Sequence, residues 1–296
     1  MKLLPKRRPC GNKGDYGKIL IIAGSRGMTG AGVLAARAAL KSGAGLVTLA
    51  LPESSQPIAA ACLPETLTLP LPQTADGMPA RAALETVLDW QSRRKADLLL
   101  IGPGLGAGAE TAAFVSAVVK QLEIPFVMDA DALNCIALRG GAEKFFSAVR
   151  APRIITPHPG EAARLLGTAI PKGPAARRAA AARLRGICGG VAVLKGARTI
   201  TAGDGDFAVN NTGGPALAKA GTGDVLAGII AGLWAQAGKR KSFAETAFGC
   251  ARAAVLIHGI CGDMAAREMG DRCVLAGELA QYLPQAMRAV EKGGFL

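Results

Sequence analysis

The sequence predicts an α/β protein in which a central, mostly parallel sheet is covered by helices on both faces. Short apolar runs alternate with Ala-rich stretches along the chain. The runs are nearly continuous in Val, Ile and Leu, as in strands that are buried on both faces. Of the 296 residues, 50% are hydrophobic and only 19% are charged. This composition provides a large core and excludes a disordered chain.

The predicted strands are short and most of them end in Gly-rich turns. They cover residues 18–23, 46–51, 97–101, 126–128, 153–156 and 191–194. Two further strands, 199–202 and 207–210, flank Gly203-Asp204-Gly205, a sequence that is typical of a hairpin turn.

Helices are predicted after most of these strands, at 30–42, 108–121, 159–166, 174–187, 224–237, 243–268 and 276–290. In 224–237 the apolar residues recur at helical spacing and form one wide stripe that faces the sheet. The Pro-rich stretch from Pro52 to Pro79 is interpreted as loops with one short element. Because no repeat or linker divides the sequence, residues 1–296 are predicted to form one domain.

Composition disfavours several classes of protein. The net charge is +13, but the two Trp and two Tyr residues give no basic–aromatic pattern for stacking bases, which disfavours nucleic-acid binding. No apolar run approaches the roughly 18 residues of a membrane span. The basic N-terminus lacks the apolar core of a secretory signal. Seven scattered cysteines without a CxxC pattern predict reduced thiols, no zinc site and a cytoplasmic protein.

Gly-rich turns follow several predicted strands, and open parallel sheets bind ligands at the carboxyl ends of their strands. We therefore expect five turns to border one cleft. They are residues 23–25, 102–106, 157–161, 195–199 and 220–224.

The last of these turns, residues 220–224, gives the most specific indication of a reaction. Gly221, Thr222 and Gly223 precede an apolar helix, so their backbone amides are predicted to form an anion hole for a phosphate group. Asp224 would accept the proton of a hydroxyl that attacks the phosphorus. Asp224 could instead simply cap the helix, and the turn alone leaves both roles open.

Other nucleotide-binding patterns are missing. No GxxxxGK[ST] sequence occurs, which excludes a P-loop, and the run from Gly102 to Gly108 does not match the dinucleotide pattern GxGxxG. Lys195, at the end of a predicted strand, indicates that a nucleotide lies across the later turns. The pattern thus points to phosphoryl transfer from an adenine nucleotide to a substrate hydroxyl.

Eight segments extend this reading across nearly the whole chain. In order they are KGDYG (13–17), IAGS (22–25), TGAG (29–32), IGPGLG (101–106), DADAL (129–133), ITPHPGE (155–161), VLKG (193–196) and GTGDVLAG (221–228). Together they resemble the ADP/ATP-dependent NAD(P)H-hydrate dehydratases, a branch of the ribokinase-like superfamily. The GTGD turn alone indicates only that superfamily, whereas ITPHPGE with GPGLG and KGDYG is specific to the dehydratases.

The resemblance implies a ribokinase-like fold and the repair of NADH or NADPH that has been hydrated at C6 of the nicotinamide ring. It implies that Asp224 is the catalytic base and that Ala31, Gly104, His158 and Asp224 contact the hydrated dinucleotide. The adenine nucleotide would contact Lys195, Gly196, Ala197, Arg198, Thr199 and Gly223.

The resemblance also implies cofactors and partners. ADP or ATP would donate the phosphoryl group and Mg²⁺ would bridge its phosphates, with no metal site made of protein side chains alone. We expect a homo-oligomer such as a tetramer. Some relatives carry a fused N-terminal epimerase domain, and here only about twelve residues precede the first motif. Epimerisation is therefore expected from a separate protein.

Alternatives remain for the function and for single residues. A small-molecule kinase, such as a vitamin-precursor kinase, would stop at the phosphorylated product, and a nucleotide-sensing protein would not turn over. Asp131 could be a helix cap, and Glu161 is a possible further site residue in a first helical turn. His258 is expected in the core or in an interface.

Overall fold

A computed structural model of the protein describes residues 7–170 and 172–293. Residues 1–6, which make up most of the basic N-terminus used to predict the absence of a secretory signal, lie outside the described residues. The described helices include none with the length and apolarity that crossing a bilayer requires.

Nine strands of the described residues form a single sheet in the order β3-β2-β1-β4-β5-β6-β7-β8-β9. The strands are β1 (Lys18–Ile22), β2 (Leu46–Pro52), β3 (Leu67–Leu71), β4 (Leu98–Ile101), β5 (Phe126–Met128), β6 (Arg153–Ile155), β7 (Val191–Leu194), β8 (Ile200–Ala202) and β9 (Phe207–Val209). Strands β1 to β7 pair in parallel, and β8 and β9 add an antiparallel hairpin. The mostly parallel sheet and the predicted hairpin are both confirmed.

The described chain contains eleven α-helices. They are α1 (Thr29–Lys41), α2 (Gln56–Cys62), α3 (Ala83–Arg94), α4 (Ala109–Leu122), α5 (Asp131–Leu138), α6 (Ala142–Ser147), α7 (Pro159–Leu166), α8 (Pro174–Cys188), α9 (Thr222–Gly238), α10 (Phe243–Met269) and α11 (Ala276–Glu291). Every helix that the apolar spacing predicted is present, with ends that differ by at most a few residues.

Alternating strand residues divide the core into two layers. Ile19 and Ile21 of β1 belong to a buried cluster with α1, α2, α9, α10 and α11. Leu20 and Ile22 belong to a second cluster with α3 to α8. Because successive side chains of a strand point to opposite faces, the sheet is apolar on both sides. Helices on both faces confirm the predicted fold class.

The stretch from Pro52 to Pro79 was wrongly interpreted as loops with one short element, since it holds both α2 and β3. Strand β3 is an edge strand that pairs only with β2 and includes Pro70. Edge strands tolerate proline and expose one side, so β3 lacks the apolar run of a buried strand. Helices α3 and α6 were also missed; α3 buries only Ala83 and Val87.

Helix α9 packs against α1 at two small residues. A Cβ placed on Gly228 would lie 2.2 Å from the Ala35 carbonyl oxygen, and one on Gly232 would lie 2.6 Å from the Ala39 carbonyl oxygen. These obstacles are backbone atoms, so the helices would have to separate. This close approach holds α9 directly against α1.

We expect Gly228→Ala to lower the free energy of unfolding by about 1–3 kcal/mol because it overpacks this contact. The matched control is Gly186→Ala in α8, where an added Cβ meets nothing within 4 Å. There alanine should raise the free energy of unfolding by about 0.5–1 kcal/mol. Urea denaturation of both variants measures the difference, and a Gly228→Ala protein as stable as wild type contradicts the contact.

Candidate active site

The turns after β1 and β4 are joined at the carboxyl edge of the sheet. The Gly24 amide donates to the Pro103 carbonyl at 2.8 Å, and the Ser25 hydroxyl donates to the Gly104 carbonyl at 2.8 Å. A Cβ placed on Gly104 would lie 2.8 Å from the Ala31 Cβ. The structure thus brings together Gly104 and Ala31, two of the residues predicted to contact the substrate.

A buried ion pair joins the turns after β5, β6 and β7. Lys195 Nζ lies 2.5 Å from Asp129 Oδ1 and 3.9 Å from Glu161 Oε2. The Thr156 hydroxyl donates to the same Asp129 oxygen at 2.7 Å, and the Lys195 amide donates to the Pro157 carbonyl at 2.9 Å. Lys195 therefore points into the cleft rather than into solvent.

The charges of this cluster influence one another. Burial alone would lower the pKa of Lys195, but the carboxylates of Asp129 and Glu161 raise it above its usual value. Burial raises the pKa of Glu161 to about 7, although the Lys195 ammonium opposes this shift. Within the described residues the buried Asp129 Oδ2 has no hydrogen-bond partner. An unpaired buried carboxylate oxygen is costly, and this one is available to a water, a metal ion or a ligand donor.

The 221–224 turn starts α9 as predicted. Gly221 is the N-cap residue in the left-handed region, with φ 88°, and a Cβ there would lie 2.7 Å from Leu34 Cδ1. The amide of Thr222 donates to the Lys219 carbonyl at a long 3.4 Å. In the part of the chain that the structure describes, the amides of Gly223 and Asp224 have no acceptor. These amides are free to bind an anion at the positive end of a helix.

Asp224 does not occupy the capping position. It lies in the first turn of α9, three residues after Gly221, and no capping hydrogen bond from a side chain is present at this helix start. Burial raises the pKa of Asp224 to about 7, and the negative charge of Asp129 adds to this effect, while Lys195 opposes it. A carboxylate with a pKa near neutral pH is suited to accept a proton from an alcohol.

His158 is the N-cap residue of α7, and the structure gives it a definite structural role. Its Nδ1 accepts from the amides of Gly160 at 3.0 Å and Glu161 at 3.3 Å. Its Nε2 lies 3.1 Å from Glu161 Oε1. Burial lowers the pKa of His158, and the charges of Lys195 and Arg164 lower it further. Half of its side chain remains exposed for the predicted substrate contact.

The interpretation of Asp131 as a helix cap is wrong. Ala130 is the N-cap residue of α5, and Asp131 instead accepts from the Gly106 amide at 2.9 Å and from Asn134 Nδ2 at 3.2 Å. Asp131 therefore fixes the 102–106 turn against α5.

A cavity of about 530 Å³ adjoins the free amides of α9. All six residues predicted to contact the nucleotide line it: Lys195, Gly196, Ala197, Arg198, Thr199 and Gly223. A Cβ placed on Gly223 would lie 3.4 Å from Lys195 Nζ, which shows how closely the two approach. The cavity therefore connects residues 195–199 with the free amides at the start of α9.

The far wall of this cavity was missed in the sequence. It comprises Asn210, residues 212–215 and 217–218, and Val255, His258 and Gly259 of α10. The Asn/Gly/Pro-rich run from Asn210 to Pro215 was a usable signal, because such runs form loops. His258 is buried, as expected of a core residue, and burial lowers its pKa to about 4.

A sequence model of the NAD(P)H-hydrate dehydratases matches residues 19–285. The chain belongs to this family. The resemblance found in the motifs is thereby confirmed.

Solved structures of similar proteins agree with the family. The ADP/ATP-dependent NAD(P)H-hydrate dehydratase of Bacillus subtilis, co-crystallised with ATP and Mg²⁺, is 32% identical, with 97% of this chain and 94% of that chain covered and a TM-score of 0.80. A ribokinase-like superfamily protein of Enterococcus faecalis is 29% identical, with 97% and 92% covered and a TM-score of 0.75.

Curated relatives are longer than this chain. The bifunctional NAD(P)H-hydrate repair enzyme Nnr of Moorella thermoacetica is 43% identical over 290 residues, which are 98% of this chain and 52% of the relative. The chain spans about half the length of such relatives.

Proposed function

We propose that this member of the dehydratase family uses ADP or ATP to dehydrate hydrated NADH or NADPH and so restores NAD(P)H. One observation carries the proposal. Asp224, whose pKa is raised to about 7, lies in the first turn of α9, where the amides of Gly223 and Asp224 are unpaired and where Thr222 and Gly223 line the cavity. This arrangement supports Asp224 as the base and these amides as the anion site for transfer of a phosphoryl group to a hydroxyl.

The chemistry follows from this placement. Asp224 accepts the proton of the C6 hydroxyl while the amides of Gly223 and Asp224 stabilise the charge on the migrating phosphoryl group. A hydroxyl is a poor leaving group, but phosphate is a good one. The lone pair of the ring nitrogen expels phosphate from C6, and the resulting cation loses a ring proton to give NAD(P)H.

The residues fit a Mg²⁺ ion that is held mainly by nucleotide phosphates. In residues 7–170 and 172–293 no cluster of three metal-ligating side chains exists. Mg²⁺ commonly uses one or two carboxylates with phosphates and waters, and the unpartnered buried Oδ2 of Asp129 offers one such ligand. When bound, the ion would neutralise charge on the phosphates.

Further partners are part of this proposal. The hydrated dinucleotide would contact Ala31, Gly104 and His158. We also propose a homo-oligomer, with a tetramer as the specific prediction, which light scattering would test. A cytoplasmic location stays a prediction.

We expect kcat/KM for the hydrate to fall about tenfold per pH unit below pH 7. Asp224 must be ionised to act as a base, and burial raises its pKa to about 7, so the active form is lost as the pH falls through that value. The measurement is the rate of NADH formation from the hydrate with nucleotide and Mg²⁺ between pH 5 and 9. An acid limb near pH 4, the range of an ordinary aspartate, contradicts the proposed base.

A second carboxyl with a similar pKa requires a control. Burial raises the pKa of Glu161 to about 7 as well, and its charge contributes to the raised pKa of Asp224. Glu161→Gln should therefore keep an acid limb and move it to lower pH. Loss of the limb in this variant would assign it to Glu161 instead.

A further inference from the structure

Arg177 of α8 binds the loop formed by residues 195–199, which is the nucleotide loop of the proposed function. Its Nη1 donates to the Ala197 carbonyl at 2.8 Å, and its Nη2 donates to the Lys195 carbonyl at 3.2 Å. A Cβ placed on Gly196 would lie 3.1 Å from both of these nitrogens. Arg177 does not line the cavity, whereas residues 195–199 do. The loop thus lies between the guanidinium and the space for the nucleotide.

Fixing these two carbonyls also fixes two amides. In a trans peptide the C=O and N–H groups point in opposite directions. The peptides whose carbonyls bind Arg177 carry the amides of Gly196 and Arg198, which must point away from the guanidinium. Within the described residues neither amide has an acceptor. Gly196 has φ 127° and Arg198 has φ 56°, so the loop holds two left-handed residues, one of them not glycine.

The charge of Arg177 is also uncompensated. No Asp or Glu occurs from residue 162 to residue 203, and Arg177 forms no salt bridge within the described part of the chain. Burial lowers the pKa of Arg177, but a guanidinium stays protonated in proteins. A half-buried positive charge that contacts only carbonyls favours an anion on the other side of the loop.

We infer that Arg177 shapes residues 196–198 into a second anion nest, in which the amides of Gly196 and Arg198 bind a phosphate of the adenine nucleotide. Successive free amides in a loop of this kind form a concave anion site. The inference rests on the proposed function, because the ligand is the phosphate of that nucleotide. Arg177 is a positioning residue, since it acts through the loop and does not touch the ligand.

The test compares Arg177→Met with Arg177→Lys and with Arg178→Met. Lysine keeps the charge but loses the two-pronged contact. Arg178 is the adjacent exposed residue, whose guanidinium lies 4.9 Å from the Phe207 ring and away from the loop carbonyls. Affinities for ADP, AMP and adenosine are measured for each protein by calorimetric titration, together with Tm and the KM and kcat for turnover.

We expect Arg177→Met to weaken ADP and AMP binding about tenfold to a hundredfold and adenosine binding less than about twofold. KM for the nucleotide should rise more than kcat falls, Arg177→Lys should recover part of the affinity, and Arg178→Met should match wild type. Unchanged ADP affinity in Arg177→Met, or an equal loss for adenosine and ADP, overturns the nest. Wild-type protein that neither binds ADP nor turns over the hydrate overturns the proposed function as well.

Discussion

Asp224→Asn is expected to lower kcat for hydrate dehydration about 10²- to 10⁴-fold while the Kd for ADP changes less than about twofold. Asparagine fills the same space but cannot accept the hydroxyl proton. The anion site is unaffected because it consists of backbone amides. Single-turnover rates and calorimetric titration with ADP measure the two quantities separately.

Loss of folding must be excluded as the cause of the lower kcat expected for Asp224→Asn. Burial holds the pKa of Asp224 at about 7, above its ordinary 3.8, so the folded protein binds a proton more tightly than the unfolded chain. Ionisation therefore lowers stability as the pH rises from about 4 to 7, and Asp224→Asn should be at least as stable as wild type at pH 8.

The matched control for Asp224→Asn is Asp97→Asn. Asp97 directly precedes β4, whereas the candidate site lies where the strands end. Its carboxylate accepts a hydrogen bond from the Lys18 amide, and the side-chain oxygen of asparagine can keep this bond. The Asp97→Asn variant should therefore dehydrate the hydrate at the wild-type rate. Wild-type turnover in Asp224→Asn would eliminate this carboxylate as the base.

Lys195→Met is expected to lower the free energy of unfolding at pH 8 by about 3–5 kcal/mol. The substitution removes the cation that contacts Asp129 and Glu161 and leaves both carboxylates buried. Removing one partner of a buried pair is far more costly than removing one at the surface. Urea denaturation measures the change.

The surface comparison for Lys195→Met is Lys239→Met, which removes a partly exposed ion pair with Asp97 of 2.9 Å and should cost no more than about 1 kcal/mol. The Lys195→Met loss should shrink as the pH falls toward 5. Lys195 lowers the pKa of Glu161, so without it this carboxyl binds a proton more readily in the folded state. Equal losses in the two variants would show that the Lys195 pair is not buried in solution.

The sequence predicted the parts of the fold that depend on local pattern. Buried parallel strands such as Val191–Leu194 are continuous apolar runs, and the helix from Thr222 has its apolar stripe at regular spacing. Strand β3 and helix α3 were missed because they bury few side chains. An element that contributes little to the core leaves little apolar pattern.

The candidate site was predictable where consecutive residues of one turn provide its functional groups, as the amides and the carboxylate of residues 221–224 do. It was not predictable where side chains meet across the sheet. Lys195 and Asp129 are 66 residues apart, and only the parallel order of β5, β6 and β7 brings them into contact. The role of Arg177 likewise depends on how α8 packs behind the loop, which no local pattern shows.

The most direct test of phosphoryl transfer to the substrate follows one oxygen atom. Hydrated NADH labelled with heavy oxygen in its C6 hydroxyl is incubated with the protein, ADP or ATP, and Mg²⁺, and the released phosphate is analysed by mass spectrometry. We expect the label in the phosphate, because the hydroxyl oxygen becomes the bridge to phosphorus before it leaves the ring. Label found in water, with unlabelled phosphate, would show that the hydroxyl leaves without being phosphorylated and would contradict the assigned roles of Asp224 and the adjoining amides.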